Sequence, residues 1–223
     1  VGFFRVAKVL DTLGVKTSVA MNSSLAERHP FLTEQINASG WEIVAHGVDM
    51  GHLHHGEMDE TMETTQVDTC LGTLRELTGQ SISGWLSPGK SQSDRTLDLL
   101  AARGVKYVCD WVNDDMPYEM TTRAGAIFSL PHPYEIDDYV ILGGLQHSED
   151  QFLEQVEDQF DALYRESEEQ GGRMLSLSLH PWVIGQPFRI KTLEQALSYI
   201  LGHDEVWSAT GSEILNAFRA QPQ

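Results

Sequence analysis

Short apolar runs, each stopped by a polar residue, alternate with amphipathic stretches along the whole chain. No other feature limits the fold so strongly. Strand signals separated by helical stripes read as βα units feeding a mainly parallel sheet. Gly2 to Leu13 places Phe3, Val6, Val9, Leu10 and Leu13 on one helical face, with Gly14 as the expected C-cap. Lys16 to Met21 reads as a strand ending at Asn22, and Trp41 to Ala45 as one ending at His46. Between them, short helices cover 24–38. A long helix then carries Val67, Cys70, Leu71, Leu74 and Leu77 as its buried stripe, with Glu57, Asp59 and Glu60 where the helix dipole favours negative charge.

The second half repeats the pattern. Strands are expected at Ile82 to Ser87, Val105 to Asp110 and Arg173 to Leu179. Weaker strand signals lie at Ile127 to Leu130, Tyr139 to Leu142 and Val206 to Ala209, and Trp111 to Tyr118 reads as a loop. Helices are expected at Asp94 to Arg103, Glu149 to Glu169, Lys191 to Leu201 and Gly211 to Ala220. The fold class is α/β: a distorted (β/α) barrel of about seven parallel strands, in one domain spanning the 223 residues. The chain opens on a helix, so the first strand is expected upstream.

In such folds catalytic groups gather where strands end. Asn22, His46, Ser87, Asp110 and His180 each close a different expected strand. In Met174-Leu-Ser-Leu-Ser-Leu-His180, the alternation puts Ser176, Ser178 and His180 on one face and the leucines on the other.

Composition removes several function classes. With 15 Lys+Arg against 33 Asp+Glu, the net charge is −18, which repels nucleic acid and anionic lipid. The chain contains no apolar run of the roughly 20 residues that a membrane helix needs. A small-molecule substrate, neutral or cationic, is the expected partner. Cys70 and Cys109 form no metal or redox motif; both read as buried, reduced thiols, which points to the cytoplasm.

Several segments resemble the polysaccharide deacetylase family. They are Glu42-Ile-Val-Ala-His46-Gly, Gly84-Trp-Leu-Ser-Pro88, Asp110-Trp-Val-Asn-Asp114-Asp115-Met-Pro-Tyr118 and Leu179-His180-Pro-Trp-Val-Ile-Gly185-Gln-Pro-Phe-Arg189. Their order and spacing are most similar to its metal-independent, allantoinase-like branch. The resemblance implies hydrolysis of a carbon–nitrogen bond other than a peptide bond, and by analogy a homotetramer. Metal-dependent members use an upstream aspartate pair, a His-x-x-x-His pair and an arginine segment. Here Met50 stands at the second histidine position and Leu86 at the arginine. A tight metal site is therefore not expected. If a metal binds, His46 with His52 or His54 are the candidate ligands.

For the chemistry, His180 is the candidate general acid, because imidazole titrates near neutral pH. His46 and Asp114 are candidates for activating or positioning water. Asp110, Asp115, Ser87, Trp85, Trp111 and Arg189 are candidate substrate contacts. Each has a plainer reading as a strand-end cap, a solvated acidic loop or core. His29, His132, His147 and His203 show no constellation. Two alternatives stay open: a zinc-dependent N-deacetylase of an acetylated polysaccharide, and a non-catalytic carbohydrate-binding barrel.

Overall fold

The computed structural model describes residues 1–221, and the chain divides into two compact units. One comprises Val1–Lys16 with His132–Ser208. The other comprises Thr17–Pro131 with the segment from Ala209 onward.

The second unit holds the sheet. Its strands are β1 (Ser18–Met21), β2 (Glu42–Ala45), β3 (Gly84–Trp85), β4 (Tyr107–Val108), β5 (Tyr118–Thr122) and β6 (Gly125–Ser129), in the order β1-β2-β3-β4-β6-β5. Every pairing is parallel except β5 with β6, an antiparallel hairpin. The fold class is thus α/β with a parallel-dominated sheet. Of β5, only Tyr118 falls in the expected loop, which ends there. Tyr118, Met120 and Thr122 alternate with exposed Glu119 and Thr121, the period of a half-covered edge strand.

The strand β3 is shorter than its apolar run. Ile82 takes φ 48°, a left-handed conformation that no strand tolerates, so β3 begins only at Gly84. Gly84 is required there: a Cβ would lie 2.4 Å from Tyr107 Oη, and one on Gly211 would lie equally close. Tyr107 fills that space and forms a core with Val44, Leu130 and Leu215.

The helices of this unit are α2 (Ser23–Arg28), α3 (Pro30–Ala38), α4 (Glu60–Thr78), α5 (Thr96–Ala102) and α8 (Gly211–Arg219). In α4, Val67, Cys70, Leu71 and Leu74 are buried as expected, whereas Leu77 is exposed. Asp59 caps the helix by accepting from the N–H groups of Thr61 and Met62. At α8, Glu42 of β2 accepts from the Ser212 backbone N–H and hydroxyl, tying the helix N-terminus to the sheet.

The first unit contains α1 (Gly2–Leu13), α6 (Glu149–Gln170) and α7 (Ile190–Leu201). Gly14 caps α1 in the left-handed conformation, as the sequence indicates. α6 buries Phe152, Val156, Phe160 and Leu163, and α7 buries Leu193, Ala196, Leu197 and Ile200; the two helices pack together. Three expected strands are absent as ladders. Arg173 to Leu179 contributes one parallel bridge, Ser178 to Asp137. Tyr139 to Leu142 instead opens a π-helical turn, Tyr139–Gly144, because Asp137 Oδ1 accepts the Val140 N–H and bends the chain. Val206 to Ala209 forms no ladder.

Candidate functional site

In the sheet unit, four adjacent parallel strands end in polar residues. Asn22 follows β1, His46 follows β2, Ser87 lies just beyond β3 and Asp110 just beyond β4. Hydrogen bonds join them sideways. Asn22 Nδ2 donates to the His46 carbonyl, and His46 Nδ1 lies 2.6 Å from the Leu86 carbonyl. A carbonyl can only accept, so Nδ1 carries a proton. Ser87 donates its N–H to Asp110 Oδ1 at 2.7 Å and its hydroxyl to Oδ2 at 2.8 Å. Burial pushes the Asp110 carboxyl above its ordinary range, against the hydrogen bonds from Ser87 and Gln92.

The remaining candidates of this unit divide by depth. Trp85 is fully buried, with its Nε1–H donated to Ser87 Oγ, so it supports the rim from beneath. Trp111 is exposed and donates Nε1–H to Gln92 Oε1. Asp114 and Asp115 are exposed, and Asp114 Oδ1 accepts the N–H of Met116 in a local turn.

The histidine-rich loop also separates. His52 pairs with Asp49 in solvent, and His55 is exposed. His54 is buried against Trp85 and lies 3.1 Å from Glu63 Oε1. Glu63 also accepts from the hydroxyls of Ser93 and Thr96. Burial pushes its carboxyl up, but these hydrogen bonds outweigh that, and the net shift is downward. Its position was readable: Glu63, Val67, Cys70 and Leu74 share one helical face, so a carboxylate on that stripe needs partners.

In the other unit, His180 meets a residue that sequence reasoning missed. His180 Nδ1 lies 2.7 Å from Asp138 Oδ1, and Asp138 is fully buried while the His180 side chain is 35% exposed. Asp138 also accepts the His180 N–H on both oxygens at 2.9 Å and the Ile184 N–H at 3.2 Å. The signal was a pair of acidic residues between Ile136 and Tyr139-Val-Ile-Leu, a costly place for carboxylates without donors. The hydrogen bond to Asp138 raises the His180 pKa; partial burial opposes this, and the Asp138 and Asp137 charges add to it. Tyr139 and Trp182 flank the imidazole, with ring centroids 5.8 Å away. Arg189 donates Nε–H to Glu149 at 3.0 Å and lies over Phe188.

Residues 2–108 match the polysaccharide deacetylase family. A Schizosaccharomyces pombe protein assigned to that family is 23% identical over 237 residues, covering 99% of this chain and 73% of its own. Among solved structures, Puue allantoinase is 28% identical with a TM-score of 0.89, over 98% of this chain and 72% of that one. A Pseudomonas aeruginosa PAO1 protein assigned to the deacetylases is 29% identical with a TM-score of 0.88, over 100% and 74%. In sequence over residues 2–108, and in fold over nearly its whole length, the chain resembles the polysaccharide deacetylase family. The likeness is to hydrolases of carbon–nitrogen amide bonds.

Many polysaccharide deacetylases hold a divalent metal, so the donor sets of this chain matter. Among the described residues one cluster offers three ligand atoms within 4.8 Å of one another: Asp137, Asp138 and His180. It does not suit a cation. Asp138 spends both oxygens on N–H donors, Asp137 Oδ1 accepts the Val140 N–H, and Nδ1 of His180 points at a carboxylate as a donor. A metal would have to displace those protons and strand buried N–H groups. The hydrogen bonds make the cluster a His180–Asp138 pair. His54, half of one suggested metal pair, is committed to Glu63.

Proposed function

We propose that this chain hydrolyses a carbon–nitrogen bond in a small cyclic ureide or amide, allantoin-like, without a metal. The observation carrying the reading is the His180–Asp138 pair. The buried carboxylate orients the ring through Nδ1–H and favours the imidazolium, so that Nε2–H is the proton donor. When water adds to the carbonyl carbon, the tetrahedral intermediate collapses by breaking the C–N bond. His180 delivers its proton to the departing nitrogen, which leaves neutral. The proton that the attacking water gives up then restores the His180 imidazolium. Metal independence is supported by Met50 at the second histidine position and by the saturation of Asp138. The cyclic ureide is supported by the structural similarity to Puue allantoinase.

A second reading, N-deacetylation of an acetylated polysaccharide with a divalent metal, draws on the assignment of the S. pombe relative. Incubation with allantoin and, separately, with N-acetylglucosamine oligomers decides between them. Ring opening of allantoin supports the proposal. Acetate release from the oligomers with no action on allantoin overturns it.

A further inference from the structure

The rim of the sheet unit contains a hydrogen-bonded chain that the acid–base reading leaves unused. It starts at the buried indole of Trp85, whose Nε1–H donates to Ser87 Oγ at 2.8 Å. Ser87 donates through N–H and hydroxyl to the two oxygens of Asp110. Gln92 Nε2 donates to Asp110 Oδ2, and Gln92 Oε1 accepts Nε1–H of Trp111 at 2.9 Å. Trp111 is 43% exposed. The chain therefore joins a core indole to a surface indole through one carboxylate and one amide.

The amide is chemically required at its position. Its neighbours are an acceptor on one side and a donor on the other, and a side-chain amide presents both functions on one group. A glutamate would set a second carboxylate against Asp110, and lysine or arginine has nothing to offer the indole N–H. Gln92 is itself held from both sides. Ser91 Oγ donates to the Pro88 carbonyl and accepts the His54 N–H, and Ser93 Oγ donates to Glu63. The Trp111 backbone is fixed too, because Ser129 Oγ donates to its carbonyl at 2.7 Å.

The consequence lies at the surface. Trp111 sits on a loop without helix or strand, where an exposed side chain would ordinarily sample several rotamers. Here its single polar atom is held by Gln92, which fixes the orientation of an indole that remains exposed. An aromatic surface ordered before binding loses little entropy when a ring stacks on it. Exposed Asp114 and Asp115 follow on the same loop, in a chain of net charge −18, and they disfavour an anionic ring.

We propose that Gln92 is a positioning residue that sets Trp111 as a stacking wall for the uncharged ring of the substrate. The identity of that substrate rests on the hydrolase reading above, whereas the role of Gln92 does not. A planar ureide ring and a pyranose ring both present an apolar face to an indole, so allantoin and an N-acetylglucosamine oligomer form the two arms of the test.

The first measurement needs no turnover. Trp111 emission is taken as the difference between the wild type and Trp111→Phe, and the same difference is taken in a Gln92→Met background. Methionine keeps the volume and removes both hydrogen bonds. The expected result is a red-shifted Trp111 component that acrylamide quenches more readily in Gln92→Met. An unchanged component overturns the proposal. The second measurement uses whichever of the two compounds is hydrolysed. Gln92→Met should raise KM roughly three- to tenfold, the worth of one aromatic contact, and by more than it lowers kcat. The double variant Gln92→Met/Trp111→Ala should be no worse than Trp111→Ala alone. Effects that multiply would show that Gln92 acts independently of Trp111 and would sink the idea. If neither compound is hydrolysed, the substrate reading fails and the emission data decide the Gln92 proposal alone.

Discussion

Replacing Asp138 with asparagine probes the acid–base pair at its buried end. The carboxylate receives the His180 N–H on both oxygens, the His180 Nδ1–H on one and the Ile184 N–H on the other. An amide offers a single acceptor oxygen, and its NH2 group would confront an N–H donor. One buried donor is stranded, at a cost of about 1–3 kcal/mol of folding stability. The effect on turnover should be larger, because the imidazole loses the partner that fixes its tautomer and favours its charge. A fall in kcat of about two to four orders of magnitude is expected for an acid deprived of its orienting carboxylate.

The pH dependence gives the sharper signature. Asp138 raises the His180 pKa, so the protonated acid persists above the ordinary imidazole value of about 6.5. The alkaline limb of kcat/KM in the wild type should therefore lie above that value and move to lower pH in Asp138→Asn. The stability contribution follows the same sign. It is complete below about pH 6.5 and lost as pH rises through the raised native value. Urea unfolding and kcat/KM across pH 5 to 9, roughly this window, measure both. If Asp138→Asn keeps kcat/KM within about threefold and its alkaline limb does not move, the pairing is not catalytic.

Three further outcomes follow from the buried groups. Glu63→Ala removes the acceptor shared by His54, Ser93 and Thr96 and should cost about 3–5 kcal/mol in urea unfolding. A loss below about 1 kcal/mol would mean that the network contributes little. Because the Glu63 pKa is lowered, its contribution exists above the unfolded value of about 4.3 and is lost on further acidification, a dependence Glu63→Gln should flatten. Gly84→Ala forces a methyl group into Tyr107 and should destabilise the fold by about 1–3 kcal/mol; an unchanged melting temperature would show that the tyrosine can retreat. Cys70 is buried, with its thiol pushed up to about 12, so native protein should leave it unlabelled by a thiol reagent that modifies it after unfolding.

What could be read from the sequence has a physical boundary. Asn22, His46, Ser87 and Asp110 were legible as strand-end residues because alternation and a polar stop are local signals. Gly14, the stripe of α4 and the helices around Phe152 and Leu193 were legible for the same reason. Asp138 was not, because its meaning comes from His180, 42 positions later. Nor was the left-handed Ile82 that shortens β3, since no local rule places a β-branched residue there. The Arg173 to Leu179 run alternates like a strand, but only Ser178 forms a bridge, and pairing depends on a partner the run itself does not specify. Gln92 resembled any polar loop residue until Asp110 and Trp111 were found on either side of its amide.

The central claim is that His180 drives metal-independent hydrolysis of a cyclic ureide. The most direct measurement follows allantoin ring opening at neutral pH by chelator-stripped protein, beside His180→Ala treated identically. The account predicts turnover that survives chelation and disappears in His180→Ala. Turnover that vanishes on chelation and returns with zinc, or that persists in His180→Ala, would contradict it.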